Sequence, residues 1–251
     1  MPFMSLFPES LDALTISGLL LASFLGSFIT VALGIGGGAI LLAIMASLLP
    51  PSALIPVHGV VQFGSNVFRA GLLVGHVHWP PVAAFAVGTL VGVVFGGMIA
   101  VELEPGYVLI GVGAFVIFSV LAKPPKWFAR HGWLAGGVSS FLTMFFGATG
   151  TFVASFTKSL QLERQSHVAT HATLMTLQHL LKVVAFGFLG FAFGPWAVFI
   201  VAMIAAGFVG TVLGRRVLVR MSDRGFKIAL DTILILISLR LIWQGIGALN
   251  S

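Results

Sequence analysis

Residues 21 to 69 recur without a gap in the second half of the chain, and this recurrence limits what the whole can fold into. Gly34 and Gly147, His58 and His171, and Arg69 and Lys182 are each 113 positions apart, and the same register matches Leu21 with Leu134, Ala22 with Ala135, Ser27 with Ser140, Phe28 with Phe141, Thr30 with Thr143, Gly37 with Gly150 and Leu49 with Leu162. A chain duplicated in this way folds as two copies of one unit. Arg69 and Lys182 stand at the same place in the two copies, each a cation inside an apolar helical stretch. The duplication therefore points to one central site for an anion.

The solvent of that fold follows from composition. Hydrophobic residues make up 58% of the chain and charged residues only 8%, with a mean hydropathy of +1.10, which describes a polytopic membrane protein and not a soluble domain with about 25% charged residues. There is no cysteine, so disulfides and thiolate metal sites are excluded. The first ten residues carry no Lys or Arg, which argues against a cleaved signal peptide. The net charge of +6 reads as topology signals and not as nucleic-acid binding. Ten of the thirteen basic residues fall in three loops: Lys123, Lys126 and Arg130; Lys158 and Arg164; and Arg215, Arg216, Arg220, Arg224 and Lys227. The positive-inside rule places these loops in the cytoplasm, and the segments holding Glu9, Asp12, Glu102 and Glu104 outside, with both termini outward.

A hydrocarbon core of about 30 Å needs a span of about 20 apolar residues. Six segments read as simple spans, and two do not. Leu11 to Leu49 is too long for one helix and is interrupted at Gly34 to Gly38; Trp133 to Thr157 is interrupted at the repeat mate, Gly147 to Thr151. Both predict helical hairpins whose second arms begin near Ala39 and Phe152. The loop after Val101 is acidic and its counterpart after Arg215 is basic, so equivalent loops lie on opposite sides. The predicted fold is thus all-α, two inverted repeats each of a broken-helix hairpin plus three transmembrane helices. Repeat 1 covers 11–122 (hairpin 11–49, helices 58–75, 82–101 and 107–122), a cytoplasmic linker 123–132, and repeat 2 covers 133–246 (hairpin 133–157, helices 167–187, 196–215 and 226–245).

Irregular backbone at membrane depth survives only where it is packed in protein or lines a wet cavity. The tips, Gly36, Gly37 and Gly38 with Thr149, Gly150 and Thr151, are accordingly candidate substrate-binding residues, offering helix N-terminal amides to an anion; the alternative is that the glycines only permit close packing. Polar stripes supply the rest. His58, Gln62, Asn66 and Arg69 share one helix face, as do His171, Gln178 and Lys182 with Met175, while His167 extends the second stripe and His179 is the repeat mate of Asn66. Of these, His58, Gln62, Asn66, Arg69, His171, Gln178, His179 and Lys182 are assigned to the anion site. Against this, Arg69 and Lys182 could snorkel to headgroups, and His58 and His171 could cap or pack near helix starts. Gly92 and Gly96, with Gly210 and Gly214, form small-xxx-small pairs read as packing surfaces. Asp231 and Arg240 read as interface anchors, and His76 and His78 beside Trp79 as surface residues.

The hairpin LGIGGGAI, the helix PVHGVVQFGSNVFRAG, the second-half FFGATGTFV and the GxxxG element before a basic loop resemble the TauE/SafE family of membrane transporters, also called the toluene-sulfonate uptake permease family, over essentially the whole chain. The resemblance implies cargo among small sulfur-containing anions such as sulfite and organosulfonates, with export a common direction, in the bacterial cytoplasmic membrane.

The reading is a secondary transporter of a small oxyanion working by alternating access, with membrane lipid as its surroundings, protons as a candidate coupling ion, and no cofactor or metal. Arg engages an oxyanion through a bidentate fork and Lys as a point charge. A passive anion channel would use the same residues. A metal-ion transporter is suggested by His167 and His171 at i, i+4 spacing, but two buried cations have the wrong sign for it. An enzyme finds no nucleophile elbow or HExxH, and no nucleotide-binding loop is present for ATP hydrolysis.

Overall fold

The computed structural model describes residues 7–33, 36–100, 104–122, 131–147, 149–217 and 223–250. Among them, ten α-helices follow one another: α1 (Ala13–Leu33), α2 (Gly37–Leu48), α3 (Pro51–Leu72), α4 (Val82–Ala100), α5 (Pro105–Leu121), α6 (Gly132–Phe146), α7 (Gly150–Ser159), α8 (Arg164–Phe188), α9 (Ala197–Val217) and α10 (Asp223–Leu249). Gly34, Ile35, Glu102, Lys123, Lys126, Arg130, Ala148 and Arg220 lie outside the described residues, as do the side chains of Arg164, Arg215, Arg216, Arg224 and Lys227.

The 113-residue register governs the helix boundaries as well as the side chains. α2 and α7 begin at Gly37 and Gly150, α3 and α8 at Pro51 and Arg164, and α1 and α6 end at Leu33 and Phe146. The second arms start two residues earlier than the predicted Ala39 and Phe152. Likewise α3 starts at Pro51, seven residues before the predicted His58. Pro51 occupies the first helical position, where no backbone bond is lost, and Pro56 sits in the second turn and removes one. At the start of α1, Asp12 Oδ1 accepts the Thr15 backbone N–H at 2.7 Å. That bond holds the Asp12 carboxyl, outside the span, below its ordinary value.

By length and composition, Ala13–Val31, Val82–Ile99, Gly194–Gly214 and Asp231–Leu249 can each cross a membrane. The sequence predicts α1 as the first arm of a hairpin; at 21 residues it is long enough to span on its own. α3 and α8, at 22 and 25 residues, also have the length, but their polar stripes lower their hydropathy. α2 has 12 residues and α7 has 10, which at 1.5 Å per residue reach about 18 and 15 Å, roughly half the hydrocarbon core.

Helix pairing exchanges between the halves. The most extensive contacts join α1 to α9, α4 to α6, α5 to α10 and α3 to α8. A Cβ at Gly92 would lie 2.1 Å from the Gly137 carbonyl oxygen, and one at Gly210 would lie 2.1 Å from that of Phe24. The small-residue pairs therefore serve as packing surfaces, α4 running parallel to α6 and α9 parallel to α1. α3 and α8 are antiparallel, with Gly59 facing Lys182 and the His58 ring 6.3 Å from that of His179. α5 and α10 are also antiparallel, Gly106 meeting Leu249 and Gly113 meeting Ser238. Polarity is inverted relative to a soluble protein. Phe188 and Trp243 are 89% and 78% exposed, while Gln178 and Lys182 are wholly buried, as lipid outside and a polar centre require. The chain is an integral membrane protein.

Candidate functional site

Both tips are built by a reversal of backbone handedness followed by a new helix. Gly36, at φ 108°, precedes α2, and Gly147, at φ 72°, closes α6. Neither conformation suits a residue with a Cβ. The carbonyl of Gly36 accepts from Ala39 and Ile40, and that of Thr149 from Phe152 and Val153. The amides of the residues between, at Gly37, Gly38, Gly150 and Thr151, have no partner inside their own helix.

Each tip is tied to a stripe helix by a histidine. His58 Nε2 donates to the Gly38 carbonyl at 3.1 Å, and His171 Nε2 donates to the Gly150 carbonyl at 3.2 Å. A carbonyl only accepts, so Nε2 carries the proton in both rings. These histidines are therefore not merely caps of their own helices.

A cavity of about 60 Å³ lies between the tips. One hairpin contributes Thr30, Gly36, Gly38 and Ala39, and the other Gly147, Gly150 and Thr151. α3 supplies His58, Gln62, Asn66 and Arg69, and α8 supplies His171, Met175 and His179. Arg69 is only 7% exposed. Its Nη1 donates to Asn66 Oδ1 at 3.4 Å, Asn66 Nδ2 donates to the Gln62 carbonyl at 2.8 Å, and its Nε has no partner. Thr151 Oγ1 and His179 Nδ1 are also buried and unpaired. Among the described residues no Asp or Glu lines the cavity, and Arg69 lies within electrostatic range of His171. A buried guanidinium without a counter-charge suits an oxyanion and not a metal cation.

Four of the residues assigned from sequence are placed off the cavity wall. Gly37 packs inside its own hairpin, where a Cβ would lie 1.7 Å from the Gly26 carbonyl oxygen. Thr149 and Gln178 form a strut: Gln178 Nε2 donates to Thr149 Oγ1, and Gln178 Oε1 accepts from Ser139 Oγ at 3.2 Å, joining α8, α6 and the second tip. Lys182 is wholly buried; it lies against Gly59, within electrostatic range of His58 and His179, and its Nζ has no hydrogen-bond partner. His167 stacks on His171 at 6.4 Å and does not line the cavity. In the other direction, Thr30, Ala39, Gly147 and Met175 line it without having been assigned to it. Met175 was legible as the repeat mate of Gln62 on the second stripe, and Gly147 as part of the tip; Thr30, four residues from the break, gave only its repeat match.

A family profile described as Sulfite exporter TauE/SafE matches residues 19–241, a stretch that contains both tips and every residue lining the cavity. No curated protein and no solved structure matches the chain.

Proposed function

This chain belongs to the sulfite exporter TauE/SafE family, and on that premise we propose that it is a secondary transporter that moves a small sulfur oxyanion out of the cell across the bacterial cytoplasmic membrane by alternating access. The observation that carries the reading is Arg69, buried in a cavity with no carboxylate among its described residues, between two half-helix N-termini. The guanidinium supplies charge and a donor fork, the tip amides of Gly38, Gly150 and Thr151 supply further donors, and Gln62, Asn66 and His171 complete the shell.

Cavity size favours the smaller cargo. At about 10–15 Å³ per water-sized position, about 60 Å³ holds four to six such positions. That suits sulfite, whereas sulfoacetate, twice as large in heavy atoms, requires the tips to part. The two-repeat architecture is read as inverted, in support of which the equivalent helices α3 and α8, and α5 and α10, pack antiparallel. Rocking one hairpin against the other would then present the same site to opposite sides.

The test is flux in sealed vesicles containing the full chain, using sulfite, sulfate, sulfoacetate and acetate. The expected result is saturable sulfite flux that exceeds acetate flux and shows counterflow against unlabelled sulfite. Non-saturable flux without counterflow identifies a passive anion channel, and no flux of any of the four anions overturns the reading.

A further inference from the structure

The two cations related by the repeat are treated differently by the fold. Arg69 lines the cavity, whereas the wholly buried Lys182 lies along α3 at Gly59. A Cβ built on Gly59 would stand 2.7 Å from Lys182 Cε and 3.5 Å from its Nζ, so the side chain occupies a notch that exists only because residue 59 is glycine. The repeat mate of Gly59 is Ala172. In the antiparallel register that sets Gly59 opposite Lys182, Ala172 stands opposite Arg69. Ala172 carries a methyl group where Gly59 carries none, and Arg69 lines the cavity.

The notch gives Lys182 space and no polar partner. Its Nζ is unpaired, and the nearby His58 Nδ1 and His179 Nδ1 are unpaired as well. The titratable groups facing it are His58 on α3 and His179 on its own helix; beyond them come His171, which faces His179, and Arg69, which faces His171. None is an anion. A buried ammonium with no counter-charge is costly, and a nearby anion relieves that cost. His58 and His179 both line the cavity, so Lys182 rests one side chain behind the wall.

Resting on the anion-cavity reading above, we propose that Lys182 is a retractable second cation: it leaves the Gly59 notch when a doubly charged oxyanion enters, and so sets the preference for dianions over monoanions. Arg69 alone balances one negative charge. Lys182 balances the second, and its retraction leaves the site able to release cargo. Gly59 is the positioning residue that makes retraction possible.

Sulfite and methanesulfonate share an SO₃ head and differ in charge at mildly alkaline pH, where sulfite is chiefly the dianion. Their affinities for the purified full chain are to be compared in the parent and in Lys182→Met, Gly59→Ala and Arg69→Ala, with thermal unfolding as a control for folding. The expected result is that Lys182→Met weakens sulfite binding by about tenfold or more while leaving methanesulfonate little changed. Gly59→Ala, whose new methyl displaces the flexible end of Lys182 toward the cavity, should tighten sulfite several-fold, slow its turnover and spare methanesulfonate. A sulfite-to-methanesulfonate ratio equal to the parent's in both variants overturns the retractable cation, even where Arg69→Ala abolishes binding. If Arg69→Ala binds both anions like the parent, or the parent binds neither, the cavity reading falls and the retractable cation with it.

Discussion

His58 Nε2 lies 3.1 Å from the carbonyl oxygen of Gly38, so the polar stripe of α3 is tethered to the first turn of α2 across twenty residues of chain. His171 and Gly150 repeat the arrangement at 3.2 Å in the other half. Movement of either tip must therefore break or carry this bond.

Replacing either histidine by Ala removes the bond between stripe and tip while the tip carbonyl keeps its own helical partner, and should cost about 0.5–1.5 kcal/mol, read as a lower unfolding midpoint in detergent. Asn or Gln, which restores an N–H donor, should recover part of the loss. Unchanged midpoints in both alanine variants would show that the bonds do not hold the tips.

Arg69→Ala should reduce sulfite transport by about 10- to 150-fold, the equivalent of about 1.5–3 kcal/mol for a hydrogen bond to a charged group, with insertion and folding retained. Arg69→Lys keeps the charge and loses the fork, and should be partly active. Vesicle flux at normal protein density checks both.

The two tip glycines that share a repeat position should respond differently to a methyl group. At Gly37 it meets the Gly26 carbonyl oxygen at 1.7 Å and Thr30 Oγ1 at 2.3 Å, the first of them backbone that cannot swing aside, so Gly37→Ala should lose folded protein. At Gly150 only Met175 Cε is near, at 3.7 Å, and Gly150→Ala should fold normally while narrowing the cavity. Folded yield and transport per folded molecule, measured together, separate the two.

If histidines carry a coupling proton, the free ring nitrogens are where it binds: Nδ1 of His58 and Nδ1 of His179 have no partner. An outward sulfite gradient should then drive proton movement in sealed vesicles, and Gln at His58, His171 and His179 together should abolish it. Proton movement unchanged in the triple variant removes the histidines from the coupling.

Because the chain has no cysteine, single cysteines report topology cleanly. One placed at Lys126 should resist an impermeant external reagent in intact cells, and one placed at Glu9 should react. The reverse pattern would overturn the assigned orientation.

The sequence carried much of this site, because a repeat states its own register. Both tips, both stripes and Arg69 followed from residues 113 apart, and the helix starts at Gly37 and Gly150 keep that spacing. What stayed hidden depends on facing residues from other helices. Lys182 shares a repeat position with Arg69, yet it lies against Gly59 of the opposite helix and off the cavity wall. Gln178 shares the stripe, yet Ser139 and Thr149 engage both ends of its amide. Gly37 belongs to the tip by sequence, yet its missing side chain is needed by Gly26. No period along a single helix encodes such partners.

The exchange of helix partners between the halves also has a consequence for biosynthesis. α1 buries Ser23 only when that hydroxyl donates to the Met203 carbonyl of α9, at 2.7 Å, and those residues leave the ribosome far apart in time. At about 5–20 residues per second, the stretch from Leu33 to Val217 takes roughly ten to forty seconds to translate. Over that interval α1 waits in the bilayer with its serine face unmatched, so a nascent chain that stalls before α9 exposes that face to the membrane's quality-control proteases.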